Sequence, residues 1–428
     1  MIKQAFIGID LGTSGCRVMV MDQDGAPLLE LGSDLPPSIR TASGKSRQMP
    51  ADWWQAVLEL LRQVPGKLPG YRPAALAVDG TSSTLLLVDA AGNPLTPALM
   101  YDDTSARAYC GRIAQSAPPE SSVQSAGSSL AKLLLLADEA GSERARHALH
   151  QADWISGMLC GRFGFSDENN CLKLGYDALN RRWPEWMKDF DFPGRWLPQV
   201  VPAGSPVGCL SPEIAGYLNF PADTRVVAGT TDSTAAVLAS GIDKPGQAVT
   251  SLGSTLVLKI LSEKPLFAPE HGIYSQRLGD LWLVGGASNS GGAVLKQLFS
   301  DDEILRLSRQ IDPNRNTGLD YYPLPAPGER FPVNDPGLMP RLEPRPADDA
   351  RFLQGILEGI SHIEAEGYRL LQKLGAPQLT EVFSIGGGAG NEPWRLIRER
   401  RIGVPVYRCE QQQAAYGSAR LALNGCRP

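Results

Sequence analysis

The chain is poor in the features that mark several large protein classes. Its seven cysteines (Cys16, Cys110, Cys160, Cys171, Cys209, Cys409 and Cys426) are odd in number, and no two are spaced Cys-x-x-Cys. That argues against a disulfide scaffold or a zinc ribbon and favours a reduced, cytoplasmic protein. There are only four histidines, and His147 and His150 form the one close pair. No cysteine or carboxylate cluster stands beside them, so the pair reads as a helix-surface feature and not a metal site. Positive charge is not in excess: 41 Lys and Arg face 46 Asp and Glu, for a net charge of −5. A nucleic-acid binder, which must neutralise phosphates, is therefore disfavoured. The one local run of arginines, Arg395 to Arg401, reads as a solvated helix face. No apolar run approaches the ~18 residues of a membrane span. The opening MIKQAFIGID enters a strand at once, so no signal peptide is expected.

What is present suits a globular enzyme of α/β class. At 428 residues the chain is too long for one small core, and two domains are expected. "FIGIDLGTSGCRVMVMD", Phe6 to Asp22, reads as strand, glycine turn, strand, with Ile7, Ile9 and Leu11 alternating with small or polar residues. Gly12 and Gly15 allow a tight turn, and converging turn amides make a concave anion site. Asp10 stands beside that turn, where a carboxylate can hold a metal ion through water. The stretch points to a metal-bound polyphosphate.

Further along, "DWWQAVLELLRQV" has the spacing of an amphipathic helix, with Asp52 as N-cap and Trp54, Val57, Leu58 and Leu61 on one face. A buried strand ends at Asp79 and is followed by Gly80-Thr81-Ser82-Ser83. Residues 129–160 read as helices, and "FSDENNCLKLGYD" as an irregular loop. "TRVVAGTTDSTAAVLASG" is a strand, a turn and a small-residue helix. "TSLGSTLVLKIL" then repeats the plan of "IDLGTSGCRVMV", which suggests an internal duplication. Residues 321–346 are proline-rich and extended. A long helix runs from Arg351 to Leu374, with Gly375 as its stop. A strand, the glycines Gly386-Gly387-Gly388 and a helix starting near Asn391 follow.

These motifs, in this order, resemble the FGGY family of carbohydrate kinases, of the actin-like ATPase superfold. "DGTSSTLLLVD", "QADW", "AGTTDSTAAVLASG", "VTSLGSTLVLKIL", "GGASNSGGA" and "GLDYYPLPAPGERFP" are most similar to the compact cyanobacterial and plant members described as D-ribulose kinases or xylulose kinase-like proteins. The resemblance covers nearly the whole chain. It implies an α/β fold of two actin-like (ribonuclease H-like) domains around a central cleft: residues 1–238, joined by a C-terminal helix 413–428, on the sugar side, and residues 239–412 on the nucleotide side. Two departures stand out. "MYDDTSA" replaces the family's Trp-x-Asp-x-Arg sugar element, and Leu396, Glu399 and Arg400 stand where a Gln and an Ala-Asp pair are usual.

The resemblance implies transfer of the γ-phosphate of ATP, with Mg²⁺, to the terminal hydroxyl of a ketopentose, most simply D-ribulose. D-xylulose or another sugar or polyol is the alternative. A nucleotide-dependent actin-like binding protein or a sugar sensor is the alternative of a different class. Asp232 is the expected catalytic base, although a turn aspartate before a helix also reads as an N-cap. Asp10 is the expected magnesium ligand, or else a turn aspartate. The two carboxylates are expected from opposite halves of the molecule, meeting at the terminal phosphate. Ser82, Asp79, Asp10 and Asp232 are the expected sugar contacts, with Asp102 and Asp103 weaker. Gly12, Thr13, Ser14, Gly253, Ser254 and Thr255 are expected at the phosphates, and Gly387, Gly388, Asn391 and Trp394 at adenosine, where Trp394 either stacks or belongs to the core. The partners implied are the sugar and ATP, with no nucleic acid or membrane, in a monomer or homodimer.

Overall fold

The computed structural model describes residues 2–139 and 142–426, so residue 1 and residues 427–428 of the expected end segments lie outside the described residues. The chain divides into two compact units, residues 1–239 with 413–428, and residues 240–412.

In unit 1 a six-stranded sheet is built from β1 (Lys3–Leu11), β2 (Gly15–Asp22), β3 (Pro27–Asp34), β4 (Tyr71–Gly80), β5 (Pro206–Cys209) and β6 (Arg225–Thr231), in the order β5-β6-β4-β1-β2-β3. β1, β2 and β3 pair antiparallel, while β4 runs parallel to both β1 and β6. Side chains alternate across a strand. Ala5, Ile7, Ile9 and Leu11 of β1 therefore join one core, with α1 (Pro50–Lys67) and, beyond α2 (Ser129–Asp138), α3 (Gln151–Cys160). Phe6 points the other way and packs with Ala75, Ala77 and Val227 against Ala419 and Ala422 of the C-terminal helix Ala414–Asn424. Gly8 and Asp10 share that second face. Each large apolar side chain so buried contributes roughly 2 kcal/mol relative to exposure. Gly8 lets the C-terminal helix approach: a Cβ there would lie 1.8 Å from the carbonyl oxygen of Ala415. Helix α4 (Asp232–Ser240) follows β6 directly.

Unit 2 repeats the plan. Its strands are β7 (Gln247–Leu252), β8 (Leu256–Ser262), β9 (Tyr274–Leu278), β10 (Leu281–Ser288), β11 (Glu381–Ile385) and β12 (Val406–Arg408), ordered β9-β10-β8-β7-β11-β12. The hairpin β7–β8 corresponds to β1–β2, and β10 to β3. β11, parallel to β7, takes the place of β4, and β12 that of β6. The duplication suggested by two short motifs thus extends to whole sheets. Helices α5 (Gly292–Leu298), α6 (Asp301–Ser308), α7 (Asp349–Lys373) and α8 (Glu392–Ile402) complete the unit.

Several local expectations are corrected. Helix α1 is capped by Met49, with Pro50 at its first position and Asp52 inside the first turn. Its buried face is centred on Trp53, Val57, Leu60 and Leu61, while Trp54 and Leu58 are only partly covered. His147 and His150 lie on a strand, His147–His150, and not on a helix. His150 is fully buried, held by Ser129 at 3.0 Å and Asp153 at 3.1 Å. "FSDENNCLKLGYD" opens with a strand, Phe165–Asp167, and a short helix, Glu168–Leu172, both buried. The arginine run is not all solvated: Arg398 is buried and pairs with Glu364 at 2.6 Å. Gly375 does follow the long helix, at φ +110°. All seven cysteines are free thiols.

Candidate active site

Parallel strands bring their carboxyl ends to one edge, and loops there form the ligand-binding side of open α/β sheets. At that edge of unit 1 the register sets Asp10 of β1 beside Asp79 of β4, and Asp79 beside Thr230 of β6. Asp232 comes two residues after Thr230. Sequence-distant acids therefore form one row because three parallel strands end together. Asp10 and Asp232 were expected from opposite halves of the molecule; both belong to unit 1, since the chain passes into unit 2 only after Ala239.

The row is crowded with negative charge. Asp79 is fully buried, accepts a hydrogen bond from the Ser418 hydroxyl at 2.6 Å, and is held well above the usual carboxylate range by burial and then by the charge of Asp10. Apart from the Asp10 carboxyl, its Oδ1 has no hydrogen-bond partner among the described residues. Burial also raises Asp10, which its hydrogen bond with Asp79 and the nearby Arg17 partly offset. The Arg17 contact is long, 3.5 Å, and the guanidinium side chain is 58% exposed, so Asp10 lacks a close cationic partner. A divalent cation fits that deficit. Among the described residues no three metal-binding side chains converge, so such an ion would draw its remaining ligands from water and phosphate oxygens.

Asp232 opens helix α4. Its Oδ1 accepts the amide of Ser233 at 2.6 Å, and its carboxylate also accepts the backbone amide of Ser82. Burial pushes it up to about 6; the Ser233 amide opposes this, Asp10 adds to it, and Lys173 and the Ser82 amide oppose it. A carboxylate tuned this way remains mostly ionised at neutral pH yet is a better base than a free aspartate. The helix start brings its positive end to the same place. Gly229 makes room, because a Cβ there would meet the carbonyl oxygen of Val78 at 1.6 Å.

The turns flank this row. Gly12, Thr13 and Ser14 link β1 to β2, and the amides of Thr13 and Ser14 donate to no backbone acceptor among the described residues. Thr81 is fixed by Gln151, whose Oε1 accepts both its amide, at 3.0 Å, and its hydroxyl, at 2.9 Å. Ser82 is half-buried beside it. Asp103 is buried and already saturated by the Ser46 amide and by Ser105, whereas Asp102 pairs with Arg40 at 2.7 Å. Lys173, which acts on Asp232, and Asn169, which donates to Thr230 at 3.1 Å, were missed in the sequence because their segment reads as a loop.

Unit 2 carries a separate cavity of about 650 Å³, within the usual size of a small-ligand pocket. Leu252, Gly253 and Ser254 line one side, Gly387, Gly388, Gly390, Asn391 and Trp394 another. Thr255 does not line it. Asn391 caps α8 by accepting the amide of Trp394 at 3.1 Å, and its side-chain amide donates to Ser308 at 2.8 Å. Trp394 belongs to the core, 2% exposed, with its indole N–H donated to Ser361 at 3.1 Å, so it walls the cavity more than it offers a stacking face. Leu295 and Lys296 of α5 and Ile304, Leu305 and Arg309 at α6 also line the cavity and were not anticipated. Leu305, an apolar side chain of α6, stays 59% exposed there.

Comparison with known proteins bears on this geometry. Residues 5–239 match the N-terminal domain of the FGGY family of carbohydrate kinases, and residues 248–426 its C-terminal domain. The chain is 27% identical over 448 residues to a xylulose kinase of Escherichia coli strain K12, covering 99% of this chain and 90% of the relative. With a xylulose kinase of Staphylococcus xylosus the identity is 24% over 444 residues, covering 98% and 90%. A crystal structure of a xyloylose kinase from Brucella ovis superposes with a TM-score of 0.86 at 26% identity, over 98% of this chain and 90% of that one.

Proposed function

Since the chain belongs to the FGGY family of carbohydrate kinases, we propose that it moves the γ-phosphoryl group of ATP to the terminal hydroxyl of a ketopentose, D-ribulose, giving D-ribulose 5-phosphate. The observation that carries this reading is the carboxylate of Asp232. It stands at the end of β6 and the start of α4, raised to about 6 by burial, in the same row as Asp10 and Asp79.

The chemistry asks little covalent work of the protein. The acceptor hydroxyl, held by Ser82 and the acid row, gives its proton to Asp232 as its oxygen bonds to the γ-phosphorus. The bond from that phosphorus to the bridging oxygen breaks, and ADP leaves with the electron pair. The amides of Thr13 and Ser14 and the start of α4 stabilise charge on the transferring group. Asp10 would hold Mg²⁺, and the ion would supply neutralisation of phosphate charge. The cavity of unit 2, lined by Gly253, Ser254, Gly387, Gly388 and Asn391, suits the nucleoside part of ATP. The setting is cytoplasmic.

One observation favours a second reading, D-xylulose: the named relatives are xylulose kinases. The two sugars differ at one stereocentre, and groups that read a hydroxyl can separate them strongly. The test is a screen of ketopentoses, aldoses and polyols with ATP and Mg²⁺, following ADP and phosphosugar together. The highest kcat/KM on D-ribulose supports the first reading, and on D-xylulose the second. Sugar-independent ADP release with no phosphosugar removes both and leaves a nucleotide-driven binding protein.

A further inference from the structure

Lys132, on α2, is fully buried, yet its charge has no carboxylate within ion-pair distance among the described residues. Its three N–H groups go instead to main-chain carbonyls: Met100 at 2.7 Å, Ser83 at 2.9 Å and Tyr101 at 3.4 Å. These belong to two loops. One is the turn that carries Ser82. The other is "MYDDTSA", which stands where the family has its tryptophan and arginine sugar element. The strands that the loops serve, Leu85–Val88 and Ala98–Leu99, pair through Leu85 and Leu99. Lys132 thus ties the two loops at the end of that pair. Its own helix is anchored at its start, where Ser128 accepts the amide of Ala131 at 3.2 Å and Ser129 meets His150 at 3.0 Å.

We propose that Lys132 is a positioning residue for the acceptor sugar, holding the Ser82 turn against the 100–103 loop so that Ser82 is presented in one place. The inference rests on the reading of Ser82 as a sugar contact. Burying an ammonium ion is costly, and an apolar side chain would fill the space more cheaply. What the ion supplies is three directed donors shared between two loops, which a methionine cannot offer. The same turn gives its Ser82 amide to Asp232, so the clamp places sugar contact and base together.

The clamp has a pH signature. Burial brings the ammonium down to about 7; Asp103 and Asp102 of the facing loop oppose this, and Lys173 adds to it. Arg47, 4.0 Å from Asp103, is the further charge beside that loop. A neutral amine keeps two N–H groups for three carbonyls.

The test is steady-state kinetics of the full chain with the best ketopentose of the screen, in the native protein and in Lys132→Met, between about pH 6 and 9. In the native protein the sugar KM rises about tenfold as pH passes upward through the Lys132 transition, while the ATP KM stays level. The Lys132→Met protein, checked for folding by its melting curve, has the raised sugar KM at every pH and no step. A merely structural lysine lowers the melting temperature and leaves the sugar KM flat in both proteins, which overturns the proposal. If Lys132→Met does not fold, Lys132→Gln replaces it in the same comparison, and a sugar KM equal to the native value at every pH overturns the assignment. Absence of any sugar-dependent turnover in the native protein takes down the kinase reading, and Lys132 with it; turnover with a level sugar KM takes down Lys132 only.

Discussion

Ser418 donates its hydroxyl to Oδ2 of Asp79 at 2.6 Å, joining the final helix of the chain to the row of acids that its early strands create. The bond is buried, and the other partner of the Asp79 carboxyl is the Asp10 carboxyl of the same row. Ser418→Ala is therefore expected to cost about 1–3 kcal/mol, the penalty for a buried acceptor left alone. Chemical unfolding should show a lowered midpoint with an unchanged slope. An unaltered midpoint would mean that the helix holds its place by apolar packing alone.

Asp232→Asn should reduce phosphosugar formation by about 10²–10⁴-fold, the usual contribution of a positioned base, while ATP binding measured by calorimetry stays near native. Turnover close to native would remove Asp232 from the role of base.

The acid limb of kcat should have its midpoint near the value of Asp232, about 6. Below it the carboxylate is protonated and cannot accept the sugar proton, so the rate falls about tenfold per pH unit. Stability has the opposite sign. A carboxyl raised from 3.8 stabilises the fold most fully below 3.8, and this contribution is lost as pH rises through about 6. At neutral pH Asp232→Asn should thus melt no lower than the native protein, which a differential scan will show.

Gly387 and Gly388 both line the cavity of unit 2 but should respond differently. A Cβ on Gly387 meets nothing within 4 Å, whereas one on Gly388 lies 2.6 Å from the Trp394 ring and 2.9 Å from Leu252. Gly387→Val should leave the melting temperature nearly unchanged and raise the ATP KM. Gly388→Val should lower the melting temperature as well, because overpacking costs about 1–3 kcal/mol. Equal ATP affinity in Gly387→Val and the native protein would argue against a nucleotide in this cavity.

Arg398 makes two hydrogen bonds to Glu364, at 2.6 and 2.7 Å, and a third to Ser384, all buried. Arg398→Met leaves Glu364 charged and unpaired, so a loss of about 3–5 kcal/mol is expected. The double variant with Glu364→Leu should recover much of it, measured by denaturant unfolding.

Local pattern carried the sequence reading where one strand or turn decides the outcome. The alternation of Ile7, Ile9 and Leu11 placed the first hairpin, and the small residues around Asp232 placed the strand-to-helix turn. The pairing of Asp10 with Asp79 needs strand register across some seventy residues, which no local periodicity reports. Val57 and Leu61 of α1 lie on the buried face as expected, but Trp53 and Trp54 are both spaced to join them, and only packing selects Trp53. His150 and Arg398 look like surface residues by type; their burial depends on Asp153, three residues past His150, and on Ser129 and Glu364, which lie far off in sequence. "FSDENN" offered no clean period because its polar side chains are satisfied by one another: Asp167 accepts the amide of Asn169 at 2.8 Å and the side chain of Asn170 at 2.5 Å.

The return of residues 413–428 to unit 1 sets an order on the birth of the molecule. As the polypeptide leaves the ribosome, every residue of unit 2 has been synthesised before the segment that covers the second face of the unit 1 sheet. Until then Phe6, Ala75 and Ala77 lack the helix that shields them, and Gly8 faces an empty groove. Translation that stops short of Ala414 should therefore yield a chain whose second half can fold while its first half remains sticky and prone to aggregate.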